Sequence, residues 1–438
     1  MPLLIVIGGI LLLFLLVVRF KLNAFLAFIL VALGVGLGEG MQLSDLITSI
    51  QNGIGNTLGF LLLILGLGAM LGKLVADSGA AQRITDKLVQ KFGRKYMQWA
   101  LVLTGFIVGI PMFYSVGFVI LVPLVFTVAA STRLPLLYIG VPMLAALSVT
   151  HGYLPPHPAP TAIVGMFGAD FGKTLIYGVL VAIPAIIVAG PLLSQTFKKI
   201  PASPMKEFVS VSPLPESALP GMGISVFSAL LPVLLIAIAT LGTYVLPEES
   251  PALKVLNFLG NPVLAMLIAV LVAMFTLGLS RGKQMSEVMQ TFADGVQGIT
   301  MVTLIIAGAG ALKEVLVDSG VSDYLADLLR SSSVSPLILA WSIAALIRVC
   351  VGSATVAGLT AAGIVLPLIG QGGTSPELMV LAIGSGSLIM SHVNDSGFWL
   401  FKSYFNLTVQ DTLRTWTLME TTVGVMGLLG VLTLNALI

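Results

Sequence analysis

Apolar runs long enough to cross a ~30 Å hydrocarbon core recur from one end of the chain to the other. They fall at 2–18, 23–38 and 54–76, followed by an amphipathic stretch at 79–95. Two apolar arms then meet at the glycine-containing turn 109-GIPMFYSVG-117. A long apolar segment follows that is interrupted at 151-HGYLPPHPAPT-161, and a final run covers 174–197. The succession then repeats: runs at 222–246, 257–279 and 295–317, a short amphipathic stretch at 320–332, and arms meeting at 349-VCVGSATVAG-358. An interruption at 392–397 and a last run at 412–437 complete it. The pattern predicts an all-α polytopic membrane protein with four matched breaks in its helices. The run at 2–18 has neither a basic n-region nor an A-x-A site, so it reads as a membrane helix rather than a cleaved signal.

The correspondence between the halves extends to residues. At an offset of 241, 62-LLILGLGAMLGKLVADSGAAQRITDKL-88 aligns with 303-TLIIAGAGALKEVLVDSGVSDYLADLL-329. The same offset pairs His151 with His392 and Asp170 with Asp411. Two repeats are therefore expected, 1–197 and 222–438, joined by the proline-rich, charged linker 198–221. If the arms meeting at each turn form a re-entrant hairpin, each half crosses the membrane five times. An odd number inverts the second repeat relative to the first. With the Arg19–Lys21 loop inside, sixteen Lys and Arg lie inside and four outside, as the positive-inside rule requires. Both termini then lie outside. Hairpins that spanned fully would also leave an odd number, so charge supports inversion without deciding re-entrance.

Composition narrows the class. The chain is 57% hydrophobic and only 9% charged, against about 25% charged in soluble proteins. A net charge of +2 with no basic, aromatic-interleaved patch gives no reason to expect nucleic-acid binding. The one cysteine, Cys350, cannot form an intrachain disulfide. Three histidines without clustered cysteines or carboxylates match no usual metal-ligand set, and no cofactor motif is present. No nucleophile–base–orienter set is evident, so an enzyme is not expected.

Broken backbone at membrane depth is tolerated only where protein or a water-filled cavity satisfies it. The freed helix N-termini carry positive partial charge and donor N–H groups, which suit an anionic cargo. The candidate binding residues lie in the four breaks: Tyr114 and Ser115 at the first tip, Ser353 and Thr355 at the second. His151 and Thr161 belong to the first interruption, and His392, Asn394 and Asp395 to the second. Ser353 is placed to cap the return arm of its hairpin. Ionisable groups at membrane depth are functional hypotheses in themselves. Arg348 is suited to fork onto a carboxylate, and equally to pair with Asp395 or Glu420. Asp395, Glu420, His151 and His392 are the candidates for a coupling proton. For His157, flanked by prolines, satisfying a freed carbonyl is the preferred reading.

Several long runs resemble the gluconate permease (gluconate:proton symporter) family: 68-GAMLGKLVADSGAAQRI-84, 147-LSVTHGYLPPHPAPTAI-163, 352-GSATVAG-358 and 384-GSGSLIMSHVNDSGFWLFKSYFNLT-408. The resemblance covers essentially the whole chain. It implies a symporter of the bacterial inner membrane that imports gluconate or a related sugar acid with a proton. It also implies the architecture of the broad ion-transporter grouping: a dimerising scaffold, hence a homodimer, and an elevator-like transport domain. Three positions depart from the family pattern. Ala159 replaces a glycine in H-P-G-P-T, Ser396 replaces a proline in H-V-N-D-P-G-F-W, and Ser115 stands where an acidic residue is common. The same fold carrying glycerate or D-serine, or acting as an anion channel, is the alternative.

Overall fold

The computed structural model describes residues 2–204, 214–321, 334–369 and 374–438. The second amphipathic stretch, at 320–332, therefore falls almost entirely outside the described residues, as does the side chain of Ser115.

The described residues form helices and no strands. In the first half these are α1 (Pro2–Phe14), α2 (Ala24–Gly38), α3 (Leu43–Asp77), α4 (Ala80–Phe92), α5 (Met97–Gly109), α6 (Tyr114–Thr132), α7 (Leu136–Tyr153), α8 (Pro158–Phe167) and α9 (Phe171–Phe197). In the second half they are α10 (Met222–Val245), α11 (Pro251–Leu259), α12 (Pro262–Arg281), α13 (Met285–Asp318), α14 (Pro336–Val351), α15 (Ala354–Val365), α16 (Pro376–Gly386), α17 (Ser396–Tyr404) and α18 (Val409–Leu437). Six segments are long and apolar enough to cross a membrane, or seven if the bent α3 counts as one span. The protein is a multi-pass membrane protein.

Three predicted helices differ from expectation. The runs at 54–76 and 295–317 belong to α3 and α13, which begin about a dozen and about ten residues earlier. Hydropathy alone misses these polar first turns. A capping box at Gln284 and Glu287 starts α13 well before its apolar stretch. The run at 257–279 is not one helix. Pro262 has no N–H to continue α11, and the Asn261 side chain caps the new start by accepting from the Val263 and Leu264 N–H groups.

α3 and α13 pack along one another at close range. A Cβ on Gly53 would sit 2.4 Å from the Gly310 carbonyl oxygen, and one on Gly310 would sit 2.6 Å from that of Gly53. Such small-residue contacts let helix backbones approach where lipid offers no hydrophobic drive for association. The broken segment α7–α8 lies deepest: 89% of its most apolar window is buried, against 39–50% for the other five long spans. Its interrupted backbone is thus shielded by protein, as membrane depth requires.

Candidate functional site

Two helix pairs are joined by short turns. α5 and α6 meet at 110–113, and α14 and α15 at 352–353. Two further helices are interrupted, α7–α8 at 154–157 and α16–α17 at 387–395. All four elements border one cavity of about 440 Å³, within the usual size of a small-molecule site. Its wall includes the N-terminal ends of four helices: Tyr114 of α6, Pro158 of α8, Ser353 to Thr355 at α15, and Asp395 to Gly397 at α17. Four positive helix ends therefore face one volume.

The second-half wall is tightly wired. Arg348, 3% exposed, donates to the Gly352 carbonyl and to the Asp395 carboxylate. Asp395 also accepts from the Ser391 hydroxyl and, at 3.0 Å, from the Gly397 N–H. The Trp416 indole N–H donates to Ser391 Oγ at 2.7 Å. Asn394 Nδ2 donates to the Val349 and Cys350 carbonyls at 2.9 and 3.3 Å, satisfying the freed end of α14. Gly352 adopts φ +81°, and a Cβ there would lie 2.3 Å from the Asn394 carbonyl oxygen. The second break is thus clamped onto the tip of its hairpin.

On the opposite side Glu420, 2% exposed, accepts a hydrogen bond from Ser148 at 2.9 Å. Among the described residues no cation forms an ion pair with it. Tyr114 and Trp416 stand with ring centroids 6.1 Å apart, and Tyr114 and His151 with centroids 5.8 Å apart.

A family model for GntP family permeases matches residues 1–438. The chain belongs to the GntP permease family. This permease is 55% identical to a high-affinity gluconate transporter of Escherichia coli K12 over 438 residues, with both chains covered in full. It is 52% identical, again over both full lengths, to the Gnt-II system L-idonate transporter of the same organism. A gluconate permease of Bacillus subtilis is 47% identical with both chains fully covered. Among solved structures, the Alcanivorax borkumensis YdaH transporter superposes with a TM-score of 0.67 at 19% identity, covering 94% of this chain and 97% of that one. Neisseria gonorrhoeae MtrF gives 0.66 at 15% identity, covering 93% of each chain. At those identities the likeness speaks for the fold alone.

In the permease the cavity brings together Tyr114, His151, Arg348, Ser353, Thr355, Asn394, Asp395 and Glu420. Thr161 and His392 are not among the residues that line it. Thr161 is fully buried on α8, and His392 Nε2 donates to the Val349 carbonyl at 3.0 Å. His157 Nε2 likewise donates to the Gly109 carbonyl at 2.9 Å, the role preferred for it from sequence. The residue pairing of the halves matched His392 with His151, yet His392 bonds as His157 does. The local reason is which freed carbonyl each ring reaches. Arg348 takes Asp395, not Glu420, as its partner. Ser148, Ser391 and Trp416 were not singled out from sequence. Ser148 and Trp416 sit three and four residues before His151 and Glu420 on their helices, so helical spacing pointed to them, whereas Ser391 lies in the non-helical break with Asp395.

Proposed function

We propose that this permease imports gluconate or a closely related sugar acid together with protons across the bacterial inner membrane. The observation that carries the reading is the convergence of four helix N-termini and Arg348 on one cavity at the breaks. A carboxylate there meets the positive ends of those helices and the unpaired Arg348 Nε. Relatives of 47–55% identity named for gluconate and L-idonate transport support the class of cargo.

Glu420 carries the proton. Of the two buried acids, Asp395 already has its cation in Arg348, whereas Glu420 has a single hydroxyl. An ionised Glu420 in a closed, loaded cavity would be an uncompensated charge at membrane depth. Proton and cargo anion therefore enter together. Asp395 keeps its pair with Arg348 in the loaded state, and the cargo carboxylate takes the unpaired Arg348 Nε–H.

The frame for this cycle is a pair of inverted repeats, 1–197 and 222–438, each with five crossings and a re-entrant hairpin. One arm of each hairpin is short, α5 with 13 residues and α15 with 12, beside partner arms of 19 in α6 and 16 in α14. The hairpins and broken helices form the transport domain of an elevator-like, homodimeric carrier.

The test is uptake of labelled gluconate by proteoliposomes under an imposed proton gradient, with and without sodium. Wild type accumulates gluconate uphill without sodium. Glu420→Gln exchanges gluconate across the membrane but does not accumulate it. Full uphill accumulation by that variant removes Glu420 from the coupling role. Failure of gluconate to exchange at all removes the proposed cargo.

A further inference from the structure

Buried polar atoms in folded proteins nearly always have hydrogen-bond partners, and each exception asks for an explanation. Among the described residues eight buried side-chain atoms have none, and four belong to residues lining this one cavity: Tyr114 Oη, His151 Nδ1, Arg348 Nε and Asn394 Oδ1. Arg348 and Asn394 are otherwise bonded through their remaining nitrogens. Tyr114 and His151 are not. Tyr114 has only ring contacts, and neither nitrogen of His151 has a partner in the protein. The contrast with the other histidines is direct, since His157 and His392 each bond a backbone carbonyl. His151 forms no ion pair with a carboxylate among the described residues.

We infer that His151 and Tyr114 form a hydroxyl-reading subsite, the element of the cavity that selects a polyhydroxylated acid over a plain carboxylate. The inference rests on the sugar-acid reading above and deepens it. A neutral imidazole offers one donor and one acceptor, and so does a cargo hydroxyl. Tyr114 adds a second group of the same kind beside it. Cargo with hydroxyls at the right carbons completes these bonds. Cargo without them leaves buried polar groups unpaired, which is how sites built for hydroxyls reject analogues lacking them. His151 on this view is a recognition group and not the proton carrier.

The experiment uses the purified full-length permease in detergent and in proteoliposomes. Gluconate binding to wild type is measured first by calorimetry, and its absence overturns the sugar-acid reading itself. Given binding, Tyr114→Phe and His151→Leu each weaken gluconate by roughly ten- to a hundred-fold, the range expected when a cargo hydroxyl is left without its buried hydrogen-bond partner. Deoxygluconates lacking one hydroxyl each then give a thermodynamic cycle. One of them binds His151→Leu as tightly as gluconate does, because its missing hydroxyl is the one His151 reads. Unchanged gluconate affinity in both variants, or strict additivity with every deoxygluconate, overturns the subsite.

Two controls separate recognition from structure and from coupling. Tyr114→Phe removes a hydroxyl that bonds nothing, so its melting temperature stays level or rises. A lower melting temperature means the hydroxyl holds the fold and overturns the inference. His151→Gln, which keeps a donor and an acceptor but cannot titrate, binds gluconate more tightly than His151→Leu. Its ratio of uptake with and without the proton gradient matches wild type. Loss of that ratio makes His151 a proton carrier and overturns the assignment.

Discussion

Gly352 is the residue on which the second wall of the cavity turns. Its backbone is in the left-handed region at φ +81°, where glycine alone is free of strain. Its missing side chain also admits the Asn394 carbonyl, since a Cβ there would lie 2.3 Å from that oxygen. Gly352→Ala therefore strains the tip and pushes it off the 391–397 break. The expected cost is about 1–3 kcal/mol of stability, with gluconate uptake falling further than the melting temperature suggests. A variant that melts lower but transports at the wild-type rate would show that the clamp holds the fold and not the site. The residue types at the breaks were legible in the sequence, because ionisable and proline-flanked residues stand out in an apolar chain. Their wiring was not. Sequence left Arg348 equally free to pair with Asp395 or Glu420, and only packing brings the Asp395 carboxylate to it.

At the level of the element, the cavity is made of helix starts. The sequence showed where helices break, since Pro155, Pro156, Pro158 and the glycine-rich turns cannot continue them. It did not show that α3 and α13 begin well before their apolar runs, because polar first turns carry no hydropathy signal. It did show Ser353 as a cap. The Ser353 hydroxyl accepts from the Val356 N–H at 3.3 Å and starts α15 at the edge of the cavity. Cap and charge can be separated at this position. Aspartate caps about as well as serine, whereas alanine costs about 1 kcal/mol. Ser353→Asp should therefore melt like wild type and yet lose gluconate binding, because it places a fixed anion where the proposed site takes the cargo carboxylate. Ser353→Ala should show the reverse balance, a lower melting temperature with gluconate still bound. Tight gluconate binding by Ser353→Asp would move the carboxylate away from the α15 start.

Across the whole molecule, the inverted arrangement rests on charge and on which loops meet. Contacts between distant loops join segments that the charge pattern assigns to one face. Arg83 bonds Glu216 at 3.1 Å, Arg281 donates to the Leu219 carbonyl at 3.2 Å, and Asn406 donates to Ser203 at 3.1 Å. All of these belong to the cytoplasmic side of the proposed topology. The Asp170 N–H donates to Glu377 at 3.0 Å, and both belong to the outer side of the proposed topology. The proposed orientation makes a sharp forecast: α10 is the one span between the linker and the 246–250 turn, so Lys199 lies inside and Lys254 outside. With Cys350→Ser as background, Lys199→Cys and Lys254→Cys each carry one exposed thiol. A membrane-impermeant maleimide applied to right-side-out spheroplasts should label Lys254→Cys and spare Lys199→Cys until the cells are opened. A cysteine appended at the C-terminus should label with Lys254→Cys, since five crossings in the second half return the chain to the outside. Labelling of Lys199→Cys in intact spheroplasts would reverse the orientation of the linker. A C-terminal cysteine protected there would give the second half an even number of crossings and overturn the five-crossing repeat.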